Sequence, residues 1–505
     1  MNKRIVSVLL CLVLCAVTLS ACGMPNKDLD HVVVADTQCP SNLDLAESWN
    51  SWFTSRWGIT ETLFSLDAKL NPQPCLATGI RNVDKLTWEV TLRPGVRFQN
   101  GKPMTAQAVI RCWRRTAEKN PRFQELVGLK DVQADGNRLI LKTSRPVPTM
   151  ENQLCDPLTG IMDVDSGTDM GKRPVGTGPY IPVSYQANTR AEEKRFDGYW
   201  RDRPKFRLVT VNVLADSTTL AMAQQNQETD LSMYVPAANL SLFRDKSKFT
   251  IDEASGSRAE IVYFNFRRPA LQQKAVRQAL SMCIDKKNYA KVINQGGSVP
   301  ASGLYPDRLP YGDVKGYPYN PAEAKRVLDR AGIIDHDGDG IREYQGKPIT
   351  LDLMTYNTRP ELPNFANEMS DSARKLGLKL NVSVLEDLTD QEESGDFDLL
   401  LMSFTMVPTG DPQYFADIAF HTGGSSNYGK YSNPEVDALI DRLDLTFDPQ
   451  QRISLTRQIS RKILDDAAFV VIGHSNFICV RNRNVKGFTV NPSEYYTLSG
   501  SMYKV

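Results

Sequence analysis

Short apolar runs alternate with amphipathic segments along most of the chain. HVVVAD at 31–36, RLVTVNVLA at 207–215 and FDLLLMSF at 397–404 are rich in aliphatic residues, a pattern typical of buried strands. STTLAMAQQNQ at 217–227 and PAEAKRVLDRAGI at 321–333 carry apolar residues at helical spacing. Strands that alternate with helices predict an α/β fold, with mixed sheets flanked by helices.

The other predicted elements follow the same rules. Thr105 is the expected N-cap of a helix over 106–119, and Asp135-Gly136-Asn137 is the expected turn of a hairpin. The pattern also predicts one long helix over 271–293. Further predicted strands are 85–92, 95–104 with a turn at Asn100-Gly101, 260–266, 349–356, 378–386 and 469–480. Further predicted helices are 362–377, 434–445 and 448–467.

The N-terminus has the order of a secretory signal peptide. Lys3 and Arg4 precede an apolar run that ends at Leu19, and small residues follow before Cys22. Residues 1–21 are therefore predicted to be a signal peptide. The sequence LSAC at 19–22 matches the bacterial lipobox, so we expect lipidation of Cys22 and a lipid-anchored tether over 22–30. An ordinary cleaved signal with an incidental cysteine is the alternative.

Cysteine content and charge narrow the function. Six cysteines remain beyond Cys22, with spacing too wide for a CxxC metal cluster, and both disulfides and buried thiols are compatible with an exported chain: Cys39, Cys75, Cys112, Cys155, Cys283 and Cys479. Loss of Lys3 and Arg4 lowers the 60 basic residues to 58, against 59 acidic ones, so no nucleic-acid partner is expected.

Motifs of catalysis are missing from the sequence. It contains no GxSxG, Walker, GxGxxG or HExxH pattern, so we expect neither an enzyme nor a bound cofactor. The four histidines, His31, His336, His421 and His474, share no metal-ligand spacing.

Six segments in order resemble the extracytoplasmic solute-binding proteins of bacterial ABC importers, in the peptide, opine and nickel branch of family 5. They span nearly the whole mature chain: TETLFSLDAKLNPQPCLATG at 60–79, LTWEVTLRPGVRFQNGKPMTAQAVI at 86–110, PVGTGPYI at 174–181, FDGYW at 196–200, FNFRRPALQQKAVRQALSMCIDKK at 264–287 and YSNPEVDALI at 431–440.

The resemblance implies a bilobal periplasmic-binding-protein fold of type II, in its large three-part form with a hinged cleft between lobes. The expected parts are a first lobe (31–60, 176–265 and 475–505), an inserted small domain (61–175) and a second α/β lobe (266–474). It also implies a monomer that captures an oligopeptide or a metal chelate or opine-like solute and delivers it to a permease and ATPase. A solute sensor or chaperone-like binding protein is the alternative.

Ligand contacts are expected at the edge of that cleft. The segment SWNSWFTSRW supplies Trp49, Trp52 and Phe53, and aromatic residues of this kind suit a recognition surface. The resemblance adds Phe123, which falls where nickel-chelate binders have an aromatic residue, and Thr405, which stands where they have a tryptophan. Val407 and Pro408 occupy the place of the acid that holds a peptide amine. The remaining candidates are Asp156, Asp411, His421 and Tyr495.

The stretch DHDGDGIRE at 335–343 imitates the start of a calcium loop. Asp335, Asp337 and Asp339 stand at alternate positions, but the twelfth position is Gly346 instead of the glutamate that binds calcium through both oxygens. A helix before it and a strand after it also disagree with an EF-hand. We expect a solvated connector; the alternative is a calcium ion with Glu343 as an extra ligand.

Overall fold

The computed structural model describes residues 28–359 and 361–505, so the predicted signal peptide and Cys22 lie outside the described residues. Its strands, in chain order, are β1 His31–Asp36, β2 Phe64–Leu66, β3 Pro72–Pro74, β4 Ala77–Asp84, β5 Thr87–Leu92, β6 Leu129–Asp135, β7 Arg138–Thr143, β8 Tyr180–Gln186, β9 Arg190–Arg195, β10 Leu208–Val213, β11 Leu231–Met233, β12 Phe249–Phe264, β13 Ser298–Pro300, β14 Glu343–Tyr344, β15 Lys347–Pro348, β16 Thr350–Tyr356, β17 Lys379–Leu385, β18 Leu399–Thr405, β19 Phe469–Asn482, β20 Val485–Lys486 and β21 Tyr503–Lys504.

Helices cover the faces of the sheets. The α-helices are Asn50–Arg56, Ala106–Lys119, Arg122–Val127, Met150–Gln153, Ser217–Gln225, Pro269–Gln272, Lys274–Met282, Lys286–Asn288, Pro321–Arg330, Glu361–Arg374, Thr389–Ser394, Gln413–Phe420, Pro434–Leu445 and Pro449–Asp465. Pro157–Thr159 and Ala237–Phe243 are 3₁₀ turns, and Tyr289–Ile293 is π-helical.

One mixed sheet of 11 strands runs through most of the molecule, in the order β17-β16-β18-β12-β19-β11-β1-β10-β9-β8, with β13 beside β19. The long strands β12 and β19 connect its two halves: β19 pairs with β11 at one end, and β12 pairs with β18 at the other. Their mutual register shifts between Ser255 and Ala259. Such a bulge bends the strand pair at the point where one half passes into the other.

A separate four-stranded antiparallel sheet, in the order β4-β5-β7-β6, is packed under the helix Ala106–Lys119. Thr105 accepts a hydrogen bond from the Ala108 amide at 3.2 Å, which confirms it as the N-cap of that helix. Trp113 of this helix and Phe123 of the next one are fully buried. Local capping and alternation of apolar residues therefore determine this region, as the sequence predicts.

Two predictions of secondary structure are wrong. The helix expected over 271–293 is broken, because Gln273 leaves the helical conformation and the Asp285 side chain starts a new turn by accepting from the Lys287 and Asn288 amides. The segment 95–104 forms only an isolated bridge between Arg97 and Pro103.

Two glycines in PVGTGPYI are required by a close backbone approach. A Cβ at Gly176 would lie 2.0 Å from the Ile59 carbonyl oxygen, and one at Gly178 would lie 2.2 Å from that of Gly58. No other residue fits where this segment passes the one that follows the helix Asn50–Arg56. That contact fixes the position of the aromatic helix beside the cavity described below.

The state of the cysteines and the presence of a membrane-spanning helix can be examined within the described residues. All six cysteines there are unpaired, and five of them are buried. No helix in the described ranges has the length and apolar character that a membrane crossing needs.

Candidate functional site

A cavity of ≈ 630 Å³ opens between the two halves of the large sheet. Its walls come from the segment after β1, the helix Asn50–Arg56, the start of the helix Arg122–Val127, the segment after β16, and the loop after β18. Its volume falls within the range of about 300–1,000 Å³ that small-molecule sites occupy.

The helix Asn50–Arg56 provides an aromatic wall. Trp49 and Trp52 meet edge to face, with ring centroids 5.1 Å apart, and both line the cavity with Phe53. Trp52 rests on Tyr495 at 5.4 Å. Trp49 keeps 49% of its surface exposed, so its face is available to a ligand while its neighbours hold it in place.

Arg122 is a charged group of the wall that keeps unpaired donors. One of its terminal nitrogens pairs with Asp156, which is fully buried, and its guanidinium lies 4.6 Å from the Trp49 ring centroid. Its Nε and Nη1 atoms are buried and have no hydrogen-bond partner. Burial opposes the charge, but Asp156 and Tyr414 outweigh it and raise the pKa of Arg122, so the group stays cationic.

Arg56 is held more firmly. Its Nε donates to the Glu494 carbonyl at 2.9 Å and its Nη1 lies 3.3 Å from the Asp36 carboxylate. Its guanidinium also lies over the Tyr234 ring, 5.3 Å from the centroid. Arg56 therefore joins the end of β1 to the C-terminal segment and has less capacity left for a ligand.

Two further arginines approach the cavity beside the strand bulge. Arg258 lies 3.4 Å from a carboxylate oxygen of Glu494, and Arg359 also lines the cavity. Burial alone would raise the pKa of Glu494, but Arg258, Arg359 and Arg56 hold it below its ordinary value. One buried carboxylate is thus shared among three guanidinium groups, and these groups come from different parts of the chain.

The structure places four of the sequence-derived candidates on the cavity wall: Trp49, Trp52, Phe53 and Thr405. Phe123, Asp156 and Tyr495 lie behind the wall and are fully buried. Phe123 packs on Trp113, with centroids 6.1 Å apart.

Asp411 and His421 lie apart from the cavity. Asp411 pairs with Arg452 at 2.7 Å, and its Oδ1 also accepts from the Gln413 amide. His421 is on a partly exposed loop, where its Nε2 lies 3.3 Å from Asp441. Neither residue lines the cavity.

Sequence reasoning missed most of the polar wall. The missed residues are arginines and tyrosines from separate segments of the chain: Arg56, Arg122, Arg258, Arg359, Tyr234, Tyr356, Tyr414 and Tyr428. Arg56 lies inside the aromatic segment already singled out, and Arg122 adjoins Phe123, so both were within reach. No local pattern marks the other six.

The cavity offers few metal ligands of its own. All four histidines are in the described part of the chain, and none lines it. Within the described ranges, the one group of three His, Cys, Asp or Glu side chains close enough to surround an ion is Asp335, Asp337 and Asp339, and all three are exposed. The side chains of the cavity with metal-ligating groups are Cys39, Glu125 and Glu392, and these three do not form a close group.

Comparison with known proteins gives a consistent assignment. The model of the bacterial extracellular solute-binding proteins, family 5, matches residues 71–427. The nickel-binding protein NikA of Staphylococcus aureus is 27% identical over 442 residues, covering 87% of this chain and 88% of that protein. The oligopeptide-binding protein AppA of Bacillus subtilis is 26% identical over 463 residues, covering 85% and 83%.

Solved structures agree in fold. The crystal structure of S. aureus NikA in complex with Ni(L-His)2 superimposes with a TM-score of 0.83 at 25% identity, covering 94% of this chain and all (100%) of that one. NikA from Brucella suis in complex with Fe(III)-EDTA gives a TM-score of 0.86 at 21% identity, with the same coverage, and supports the fold alone.

Proposed function

Since the chain belongs to the bacterial extracellular solute-binding proteins of family 5, we propose that its cavity captures a small solute with at least one carboxylate, either a short peptide or an amino-acid-type metal chelate. The protein is a substrate-binding protein of an ABC importer and not an enzyme, and its fold is the type II periplasmic-binding-protein fold. Its partners are the permease and ATPase of the importer, and it acts outside the cytoplasm.

The observation that carries the proposal is the unsatisfied guanidinium of Arg122. Two of its nitrogens are buried without partners on the wall of the cavity. A buried donor without a partner costs free energy. The two nitrogens lie on different edges of the guanidinium, so a ligand carboxylate would remove part of that cost by accepting from one of them. The guanidinium stays charged and can only donate hydrogen bonds, so a carboxylate suits it as an acceptor.

The rest of the wall limits the ligand in size and character. Eight aromatic side chains line the cavity and favour a ligand with flat or apolar portions. The volume of ≈ 630 Å³ favours a small solute over a long peptide. Both proposed classes meet these limits, and a chelate would bring metal ligands of its own to a wall that has few.

The test begins with native mass spectrometry of the full mature protein, which identifies any copurifying solute. Calorimetric titration then compares wild type with Arg122→Lys, which keeps the charge beside Asp156 but removes the planar guanidinium and its additional donors. We expect affinity to fall by about 10- to 100-fold, the effect of one charge-assisted hydrogen bond.

Arg114→Lys is the matched control, since Arg114 is an exposed residue of the neighbouring helix Ala106–Lys119 and does not line the cavity. Its affinity should equal that of wild type. Unchanged binding in Arg122→Lys, or a copurifying solute without a carboxylate, would refute the proposal.

We also propose lipidation of Cys22, supported by the LSAC sequence at 19–22. Metabolic labelling with an alkyne fatty acid should tag the full-length wild-type protein and leave Cys22→Ala unlabelled. Cys39→Ala should label like wild type. Labelling of Cys22→Ala would contradict the anchor.

The division into lobes 31–60, 176–265 and 475–505 against 266–474, with 61–175 inserted, is likewise proposed. The shift in register of β12 against β19, between Ser255 and Ala259, supports a hinge there. Small-angle scattering should show a smaller radius of gyration once the copurified ligand is added to ligand-free protein. An unchanged radius would contradict closure.

We propose that the protein works as a monomer. The molecular mass obtained from the same scattering data tests this proposal.

A further inference from the structure

The proposed inserted domain packs directly against the proposed second lobe. Trp88 of β5 stacks on Phe447 with ring centroids 6.2 Å apart, and the side-chain nitrogen of Asn152 donates to the Thr409 carbonyl at 2.9 Å. Buried apolar residues of both parts belong to one continuous cluster. We call the contact defined by these four residues the seam. Because it joins parts that the proposed hinge would separate, the seam has to open whenever the lobes open.

Two carboxyl groups of the second lobe lie at the seam. Asp417 comes one helical turn after Gln413, whose side-chain oxygen accepts from the Thr149 hydroxyl at 3.3 Å across the seam. Asp444 comes three residues before Phe447. The helices that carry the two carboxyls pack against each other. When one carboxyl is protonated, it is close enough to donate a hydrogen bond to the other.

The arginines near this pair have other partners. Arg145 of the inserted domain and Arg452 of the second lobe both face the pair. Arg452 is paired with Asp411 at 2.7 Å, and Arg145 donates to the Glu125 carbonyl. The Oδ1 atom of Asp444 is buried and has no hydrogen-bond partner among the described residues. A buried oxygen without a donor costs free energy, and a proton held between the two carboxyls would remove that cost.

Burial and mutual repulsion both favour such a proton. Burial, and then the neighbouring Asp444, raise the pKa of Asp417 far above its ordinary value, and the two arginines oppose this rise only in part. Burial likewise raises the pKa of Asp444. Two further titratable groups face the pair. Asp441 adds negative charge beside Asp444, and Tyr305 stays neutral because burial raises its pKa.

We infer that Asp417 and Asp444 hold one proton between them while the seam is closed, and that loss of this proton opens the seam. With both groups ionised, two negative charges would lie side by side at a largely apolar contact. The inference rests on the proposed division into lobes and adds a pH-dependent control of their closure.

The direction of the pH effect follows from what opening changes. Water then reaches the two carboxyls, which removes the effect of burial and lowers both pKa values. Opening also moves Arg145 away, which would raise them, but burial is the larger effect on both groups. The closed form therefore binds the proton more tightly than the open form. Low pH favours closure, and rising pH opposes it.

The test is small-angle scattering of the ligand-free full mature protein from about pH 5 to about pH 9. The radius of gyration of wild type should increase as pH rises. The ratio of open to closed molecules should increase by at most about tenfold per pH unit, the limit for one proton. Far-ultraviolet circular dichroism should stay constant, because the seam opens without unfolding.

Asp417→Asn should stay compact over the same pH range, since its amide donates to Asp444 as the shared proton does but is not lost at high pH. Asp444→Asn is a second variant with the same expectation. Both side chains are partly exposed, so the variants should fold, and thermal unfolding checks this point. The matched control is Asp465→Asn, at an exposed position of the helix Pro449–Asp465, which should follow wild type.

The inference is overturned if the wild-type radius does not depend on pH, or if Asp417→Asn and Asp444→Asn keep the wild-type dependence. A radius that falls when the copurified ligand is added, but does not change with pH, would support the proposed lobes and overturn only the shared proton. A radius that responds to neither ligand nor pH would overturn both.

Discussion

The acidic turn at 335–343 and the wall of the cavity satisfy their charges in different ways. In the turn, Asp335 accepts from the amides of Gly338 and Gly340 at 2.7 and 2.9 Å, and all three aspartates are exposed. In the wall, Arg122 and Asp156 are buried and come from segments 34 residues apart in sequence. A motif made by neighbours in sequence is visible before folding, whereas the charged wall exists only after folding.

If this comparison is right, removal of a carboxylate behind the wall should lower the free energy of unfolding far more than removal of one in the turn. Asp156→Ala should lower the free energy of unfolding by about 3–5 kcal/mol, because it leaves Arg122 buried without a counter-ion. Urea denaturation of the ligand-free protein measures the effect.

Asp156→Asn separates two roles of this side chain. It retains an oxygen to accept from the Leu158 amide, as Asp156 does at 2.9 Å, but removes the charge. It should lose most of the stability that Asp156→Ala loses. A loss in Asp156→Ala as small as that of a surface substitution would remove the contrast between the two regions.

Glu260 is another buried carboxylate, and its effect on stability should depend on pH. Burial raises its pKa to about 7, against an ordinary 4.5, and the groups that face it are Ser475, Tyr289, Arg359 and Glu361. The folded protein therefore binds this proton more tightly than the unfolded chain. The contribution of protonated Glu260 to the free energy of unfolding is complete below about pH 4.5 and is lost as pH rises through about 7. The difference between these two limits is ~3 kcal/mol.

Chemical denaturation at several pH values should show this loss in wild type relative to Glu260→Gln, which cannot titrate. Subtraction of the two curves removes the contributions of the other acids. Parallel curves from pH 4.5 to 7 would show that Glu260 titrates alike in both states.

The smallest effect is expected in the acidic turn. Asp335→Ala removes a carboxylate that accepts from two exposed amides, and water can take its place as acceptor. The free energy of unfolding should therefore fall less than in Asp156→Ala or Asp156→Asn, and ligand affinity should not change. Urea denaturation and calorimetry measure the two quantities. A rise in wild-type stability on adding calcium, absent in Asp335→Ala, would instead identify the turn as an ion site.

Sequence reasoning succeeded where structure depends on near neighbours. Thr105 caps the predicted helix, and Gly338 and Gly340 take the positive φ values of 80° and 90° expected of a tight connector. The resemblance to family 5 rested on ordered segments and is confirmed by the family model. The aromatic helix was found because its four aromatic residues lie within nine positions, 49–57.

Sequence reasoning failed where function depends on partners far apart in sequence. Asp156 was chosen as a ligand anchor, but it lies behind the wall and neutralises Arg122. Asp411 was chosen for its place in a loop, yet that carboxylate pairs with Arg452 on the helix Pro449–Asp465. The sequence contains no local sign of either pairing, because both are made by elements that only the sheet brings together.

The sequence by itself determined the α/β alternation, the family and the near-neighbour turns, because hydrophobic spacing, caps and glycine conformations act over a few residues. Only the tertiary structure decided which charges face the cavity and which are neutralised behind it. Glu494 shows the reason: Arg56, Arg258 and Arg359 influence one buried carboxylate from positions 135 to 438 residues away, where burial makes each contact strong and sequence distance carries no information.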